Sequence, residues 1–353
     1  MKILGIESSC DETAASVVED GKKLLSNVVA SSMDKQAMYG GVVPEIAARS
    51  HIEYITPVIE QALADAAINW DEIDGIAVTY GAGLGGSLLV GVMAARTLAI
   101  IKNKPLYKVN HVEAHMYANF ITETTLEGYK LPTKAPEFPL LALIVSGGHS
   151  QIVIFKNHFE YTLLGQTRDD AIGEAFDKVA KILGLPYPGG PKVSKLALEG
   201  NPLAYPLPIS KLENKYDYSF SGVKTAVLRL AQNLVGKDYT FPSSKLPGAL
   251  NDAQKADIAA SFQHIAVKTV VDKTVTAFAE FSPKTVVIGG GVASNQELRK
   301  QLSDRIPIDI EYTDPKLCTD NGAMIATIGY FQAKAGFGLA DPYSLEIKPN
   351  LSM

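Results

Sequence analysis

The chain has 353 residues, 46% of them apolar, which at about 100–200 residues per domain predicts two or three domains with real cores and excludes a disordered or fibrous chain. With 33 basic and 38 acidic residues the net charge is -5, so nucleic acid or an anionic membrane must be met by a local patch. Two cysteines, Cys10 and Cys318, make neither a disulfide framework nor a cysteine-based zinc module, and fit a reducing cytosol as small buried hydrophobes.

Lys2, Ile3 and Leu4 are not expected to open a signal peptide, because Glu7, Asp11 and Glu12 break the apolar run before it starts. The opening KILGIESSCDETAASVVED reads as a hairpin: an apolar strand, a Ser/Asp-rich turn, and a second β-rich run at Ala14 to Val18. Pro44 to Ala66 predicts a helix whose mostly uncharged face serves equally well for burial in its own lobe or for packing on a partner. The uncharged run from Gly75 to Ala95 has 21 residues, the length of a membrane span, but six glycines interrupt it. It divides into a buried strand (Gly75 to Tyr80), a glycine turn (Gly81 to Gly86) and a packed helix from about Ser87 to Ile101. Further helices are predicted over Asn110 to Glu123, Asp170 to Leu183, Lys255 to Phe281 and about Asn321 to Ala335. Two stretches read as irregular, Leu126 to Pro139 and Pro186 to Pro247, and such segments are more often functional loops than idle linkers.

Two parts of this plan repeat. LLALIVSGGHSQIVIFKN has the layout of the opening hairpin, and KTVVIGGGVASNQELRKQLSDR echoes the strand, glycine turn and helix that begin at IDGIAVTYGAG. Matching elements in the same order predict two copies of one α/β unit. Three glycine turns follow strands, at Gly81 to Gly86, Ser146 to Gly148 and Gly289 to Gly291, where backbone amides can approach a phosphate or simply make a tight exit. None is followed by Gly-Lys-Ser/Thr and none has dinucleotide-fingerprint spacing, so neither a P-loop nor a dinucleotide site is expected. His111 and His115 stand at i and i+4 of a predicted helix, so both imidazoles leave one face. That spacing suits a metal, and it also suits ordinary surface or core histidines.

Taken in order, GIESSCDET, YGAGLGGSLLVG, NHVEAH, LIVSGGHS, DDAIGEAFDKVAK, YPGGP, DYSFSGVKTAV, GGGVASN and CTDNGAMIA resemble the tRNA adenosine threonylcarbamoyltransferase family, formerly called the glycoprotease family. The resemblance runs from Gly5 to Ala326. One departure is Gly81-Ala82-Gly83, where the family usually has Gly-Pro-Gly, a change that loosens the turn and removes no chemical group.

The resemblance implies an α/β fold of two duplicated lobes, of the actin, sugar-kinase and heat-shock-chaperone ATPase type, with a nucleotide-type ligand in the cleft. The expected lobes are 1–120 plus 321–353, carrying the metal histidines, and 121–320, carrying the adenylate-binding glycine loops and a basic, Tyr-rich segment. It implies Asp320 as third ligand beside His111 and His115, although Asp there would also serve as a helix N-cap. Two histidines and a carboxylate leave coordination positions open and suit Fe(II) or Zn(II). Substrate contacts carry over to Ile144, Val145, Ser146, Gly147, Gly148, Asp177, Gly190 and Asn295, with tight turn and helix cap as alternatives for Gly190 and Asn295. The implied reaction moves a threonylcarbamoyl group from threonylcarbamoyl-adenylate to N6 of adenosine 37, beside the tRNA anticodon, in tRNAs reading codons that begin with A, and releases AMP. Asp11 and Glu12 are the candidates to take the amine proton, and turn chemistry is their alternative role.

The implied partners are a smaller, catalytically silent paralogue and a P-loop ATPase, in the cytoplasm and away from membranes. For tRNA itself, Lys178 to Arg229 holds eight basic residues (Lys178, Lys181, Lys192, Lys195, Lys211, Lys215, Lys224, Arg229) against three acidic ones (Glu199, Glu213, Asp217), a local +5. Tyr187, Tyr205, Tyr216, Tyr218 and Phe220 lie among them, a composition suited to phosphate contact and base stacking, or to a solvated lysine face over core aromatics. Two rival activities are weighed. A metalloendopeptidase would carry its general base directly after the first histidine, where Val112 stands, and Glu113 lies about 100° further round the helix. A small-molecule kinase of this fold would use the glycine loops for ATP and would have no use for a His-His-Asp site.

Overall fold

The computed structural model describes all residues, 1–353. The backbone separates into two units, Met1–Pro136 with Glu311–Met353, and Glu137–Ile310. Thus 121–136 and 311–320 belong with the N-terminal residues.

In chain order the first unit holds β1 (Lys2–Glu7), β2 (Glu12–Glu19), β3 (Lys23–Ser31), α1 (Met33–Ala37), α2 (Pro44–Asp65), β4 (Gly75–Gly81), α3 (Gly85–Lys102), β5 (Leu106–Asn110), α4 (His111–Tyr117) and β6 (Glu123–Thr124). The second holds β7 (Leu140–Val145), β8 (Ser150–Asn157), β9 (Glu160–Gln166), α5 (Ile172–Leu183), α6 (Gly189–Ala197), α7 (Ser221–Leu234), α8 (Leu246–Ala249), α9 (Asp252–Phe281), β10 (Thr285–Gly289) and α10 (Gln296–Arg305). The chain then returns to the first unit through α11 (Pro315–Cys318), α12 (Gly322–Ala335) and β11 (Leu339–Ala340).

The two sheets repeat one motif. In the first, ordered β11-β5-β4-β1-β2-β3-β6, the antiparallel meander β1-β2-β3 is extended by β4, parallel to β1. In the second, ordered β10-β7-β8-β9, the meander β7-β8-β9 is extended by β10, parallel to β7. The duplication read from the sequence is therefore present in four strands of each sheet, β4-β1-β2-β3 and β10-β7-β8-β9, while β5, β6 and β11 have no counterpart. The central strands are near-continuous apolar runs because helices cover them. β7 is buried at all six positions, and β1 at every position after Lys2.

In the first unit α2 and α3 pack on the sheet and on each other. The apolar face of α2 is used up in this way: Ala47, Ile55, Val58, Ile59, Ala62 and Leu63 are buried, leaving Ile52 exposed. α3 is long and apolar enough to cross a bilayer by length and composition, and here it buries Leu88, Val92, Ala95 and Ala99 against its neighbours. From the other side α12 packs directly on β1, where a Cβ on Gly5 would lie 2.2 Å from the Gly322 carbonyl oxygen. Only a strand and a helix lacking side chains at that crossing can approach so closely.

Two expectations need correction. The stretch Pro186 to Pro247 is not irregular throughout, since it contains α6 and α7. Gly189, Val193 and Ala197, and again Val223, Val227 and Ala231, recur every four residues and are buried, a helical period that the surrounding prolines and glycines obscure. The helix expected over Asn110 to Glu123 stops at Tyr117 and gives way to a 3-10 turn, Ala118–Phe120. There the Asn119 side-chain amide donates to the Met116 carbonyl, 3.1 Å away, a local bond that competes with helix continuation.

Candidate functional site

β1, β4 and β5 run parallel, so the turns after them gather at one end of the first sheet. Carboxyl ends of parallel strands are where α/β proteins place ligands. The turn after β1 is Ser8 to Asp11, and Asn110 at the end of β5 caps α4, its Oδ1 accepting from the amides of Val112 (2.9 Å) and Glu113 (3.4 Å). His111 and His115 follow on that helix with ring centroids 4.8 Å apart. The Gly5–Gly322 crossing delivers Asp320, just before α12, to the same place. Asp320 Oδ1 lies 3.6 Å from Nε2 of His111 and 3.6 Å from Nε2 of His115, and the three donor atoms lie within 4.8 Å of one another.

These residues fit a metal ion. Four-coordinate N/O sites with bonds of about 2.1 Å separate their ligands by about 3.4 Å, close to the spacing of Asp320 from each imidazole. The second nitrogen of His111 is committed elsewhere: Nδ1 lies 3.1 Å from Glu7 Oε2 and 3.2 Å from Ser9 Oγ. Glu7 is fully buried at the end of β1, where its carboxylate also accepts from Thr79 Oγ1 and from the Ser9 amide, each at 2.5 Å. A carboxylate behind the Nδ1–H of a histidine fixes the tautomer that leaves Nε2 for a metal. Glu7, Ser9 and Thr79 were not among the expected site residues. The one sequence signal for Glu7 is a charge ending an apolar central strand.

Electrostatics follow from this crowding. Burial pushes His111 down, but Asp320 and Glu7 outweigh it and raise the imidazole to about 9. Burial raises Glu7 as well, yet His111 and the hydrogen bonds from Thr79 and Ser9 prevail and hold the carboxylate well below its ordinary value. Asp320 is raised to about 6, by burial first and then by Glu7 and Asp11, against the pull of His111. Glu12 is raised by burial, then by Asp320 and Asp11, so both expected proton acceptors lie within electrostatic reach of the Asp320 carboxylate. Asp11 is buried and Glu12 begins β2. Burial, and then Asp11 and Asp320, raise the Cys10 thiol far above its ordinary value, so Cys10 is no thiolate nucleophile. Glu113, raised to about 7 by burial alone, is also buried.

The turn carrying Asp11 is pinned from α2 and α3. His51 Nε2 donates to the Cys10 carbonyl (3.0 Å), Ser87 Oγ donates to it at 3.1 Å, and Ser8 Oγ donates to the Ser87 carbonyl (3.0 Å). Thr13 Oγ1 lies 2.7 Å from His51 Nδ1. His51 is thus a buried structural histidine, and burial lowers its pKa.

In the second unit β7 and β10 are parallel, and their carboxyl ends carry the other two glycine turns. Ile144 and Val145 are fully buried in β7, so only their backbone is available to a ligand. The Ser146 amide donates to the His149 carbonyl (2.8 Å), closing a turn with exposed Gly147 and Gly148 at its tip. A Cβ on either tip glycine would meet nothing within 4 Å, so local packing does not require glycine there. Gly290 differs: its φ is +91° and a Cβ would lie 2.3 Å from the Val145 carbonyl oxygen and 3.1 Å from Ser146 Cβ, so the two turns abut. Asp177 Oδ1 accepts from the amides of Gly189 (2.7 Å) and Gly190 (3.3 Å), which places Gly190 in the first turn of α6, not in a tight turn. Asn295 caps α10 through the Leu298 amide (3.0 Å), and its Nδ2 donates to Ser194 Oγ and Gln263 Oε1, each at 3.0 Å.

The basic, Tyr-rich segment is only partly what its composition suggested. Tyr216, Tyr218 and Phe220 are buried and cannot stack on bases. Lys178 pairs with Asp170 (2.6 Å) and Glu174 (2.8 Å), Lys224 with Asp170 (3.1 Å), and Lys215 with Glu280. Lys181, Lys192, Lys195 and Lys211 stay exposed.

Comparison with known proteins agrees with this arrangement. The family model described as tRNA N6-adenosine threonylcarbamoyltransferase matches residues 23–327. Proteins of that name from Symbiobacterium thermophilum and Thermomicrobium roseum are 50% and 48% identical, covering 95% of this chain and 92% and 93% of the relatives. The Dehalococcoides mccartyi protein of that name is 47% identical over 100% of this chain and 99% of its own. Among solved structures, HypF from T. kodakarensis aligns at a TM-score of 0.58 and 14% identity, over 97% of this chain and 49% of that one. Component A of the Acidaminococcus fermentans (R)-2-hydroxyglutaryl-CoA dehydratase aligns at 0.50 and 15%, over 95% and 99%. These structures speak for the fold alone, the actin, sugar-kinase and chaperone-ATPase type.

Proposed function

The chain belongs to the tRNA N6-adenosine threonylcarbamoyltransferase family and is such a transferase, and from that premise we propose that His111, His115 and Asp320 hold one catalytic divalent metal, Fe(II) or Zn(II). The observation that carries the reading is Asp320 Oδ1 standing 3.6 Å from both Nε2 atoms, with His111 Nδ1 engaged by Glu7. When bound, such an ion supplies Lewis acidity toward oxygens of the acyl-adenylate.

The rest is the work of the chain's own groups. The exocyclic amine of adenine is a poor nucleophile, so holding the two substrates in register provides much of the acceleration. Gly147 and Gly148 present backbone with no Cβ in the way, which suits approach to the phosphate, and Ile144, Val145 and Ser146 shape that turn. Asp177 orients the first turn of α6 at Gly190, and Asn295 joins α6, α9 and α10, so both act on the adenylate through the loops they fix. As the amine attacks, the new N–C bond forms, the C–O bond to phosphate breaks, and the N6 proton must leave. Asp11 and Glu12 are the groups to accept it.

Exposed Lys181, Lys192, Lys195 and Lys211 are suited to phosphates of the anticodon arm, with Tyr187 and Tyr205 the aromatics of the segment that are not buried. For the silent paralogue we assign the exposed stripe Leu89, Met93 and Ile100 on α3, since α2 spends its apolar face on the core. The P-loop ATPase partner and the cytoplasmic setting rest on the family resemblance.

Metal content tests the centre directly. Purified wild type, reloaded with zinc and desalted, is expected to retain about one ion per chain, and Asp320→Asn and His115→Ala to retain less than about a tenth of that. Equal retention by all three would remove the metal reading.

A further inference from the structure

The segment after β11 is held by side chains the transferase reading does not use. Arg96, on α3, donates to three successive stretches of its backbone: Nε to the Pro342 carbonyl (2.6 Å), Nη2 to Tyr343 (2.5 Å) and Nη1 to Leu345 (3.3 Å). Leu345 is buried in the core of the first unit and Ile347 packs against it. Beyond them the chain lies on the turn after β4. The Lys348 amide donates to the Tyr80 carbonyl (2.7 Å), and the Gly83 amide donates to the Pro349 carbonyl (3.0 Å). A Cβ on Gly81 would sit 2.0 Å from the Lys348 oxygen, so this contact is backbone on backbone. Finally Asn110 Nδ2 donates to the Ser352 carbonyl (3.1 Å).

Both anchored places lead to His111. The Leu84 amide, next to Gly83, donates to the Ser9 carbonyl (2.7 Å), and a Cβ on Gly83 would be 2.6 Å from that oxygen. Ser9 Oγ in turn meets His111 Nδ1 at 3.2 Å. By the second route Asn110 uses one end of its amide for Ser352 and the other to cap α4, the helix carrying both histidines. One amide therefore joins the segment to the histidine helix.

We infer that residues 341–352 form a strap, fastened at its base by Arg96 and at its far end by Asn110, that sets the turn after β4 and the start of α4, making Arg96 and Asn110 positioning residues for metal binding. This rests on the metal reading of His111, His115 and Asp320. Neither residue is one of the three proposed ligands; both act through the backbone they hold. Supports behind metal ligands typically change affinity 10–100-fold when removed.

The test uses the full chain and Zn(II), with affinity read by competition against a chromophoric chelator and local order by amide hydrogen exchange. Arg96→Met removes the three bonds at the base and keeps an apolar stem. Asn110→Ser keeps a capping oxygen but cannot reach Ser352. Each variant is expected to bind zinc about tenfold more weakly, with the double variant no weaker than about the poorer single, because both act through one strap. Exchange at Gly83, Val112 and Glu113 is expected to quicken in Arg96→Met while β1 to β3 keep their protection. Wild-type affinity in both variants, multiplicative losses, or equal quickening across β1 to β3 would overturn the strap. Absence of zinc binding by the wild type would instead sink the metal reading, and unchanged exchange at Val112 and Glu113 in Arg96→Met would then still overturn the strap.

Discussion

His111 is placed between two carboxylates, Glu7 at Nδ1 and Asp320 at Nε2. That position holds a proton on the metal-free imidazole up to about pH 9. A metal can bind Nε2 only after a proton leaves, so protons compete with the ion. The sign follows: affinity falls as pH drops below about 9, by about tenfold per unit for one proton displaced. Below about 6 Asp320 also takes up a proton and the fall steepens. Zinc affinity measured by chelator competition between pH 5.5 and about 9.5 is expected to follow this course, and a flat profile from 7 to 9 would contradict the two-carboxylate environment. The histidine pair was legible in the sequence from its i, i+4 spacing. Glu7 was not, because which side chain at the end of a buried strand meets a helix begun after β5 is decided by strand order. The same is true of Asp320, which only the family resemblance supplied.

Close packing of α12 on β1 is what carries Asp320 to the histidine pair. Gly5→Ala would put a methyl 2.2 Å from the Gly322 carbonyl and 2.4 Å from the Ala326 amide nitrogen, so the helix must shift. Overpacking of this kind costs about 1–3 kcal/mol. Thermal unfolding is expected several degrees lower, with zinc binding weakened more than about tenfold because Asp320 moves with the helix. Unchanged zinc affinity in a folded but destabilised variant would mean that Asp320 is positioned by something other than this crossing. The strands, their glycine turns and the duplicated plan could be read from apolar runs and punctuation. α6 and α7 could not, because Pro, Gly and Lys dominate their surroundings and the buried Val223, Val227 and Ala231 give only a thin stripe. The aromatics of that segment were ambiguous for a related reason. Tyr216, Tyr218 and Phe220 look like a stacking platform by composition, and burial, which composition does not encode, makes them core.

For the whole molecule, a net charge of -5 repels tRNA, so the proposed lysine patch must supply the attraction, which is then local and weakens with salt. A peptidase lacks its base beside the histidines, where Val112 is fully buried, and a kinase leaves the His-His-Asp cluster without a task. This chain moves a threonylcarbamoyl group to tRNA, and the proposed centre at His111, His115 and Asp320 makes that transfer metal-dependent. The most direct measurement supplies the chain with its partners, unmodified tRNA, threonylcarbamoyl-adenylate made from isotopically labelled threonine, and zinc or ferrous iron. Nucleoside mass spectrometry then compares wild type with His111→Ala. Labelled threonylcarbamoyladenosine from the wild type, reduced at least about a hundredfold in the variant, is the expected result. Equal labelling by both would contradict the role of the metal centre, and no labelling by the wild type, with intact adenylate present, would contradict the transfer itself.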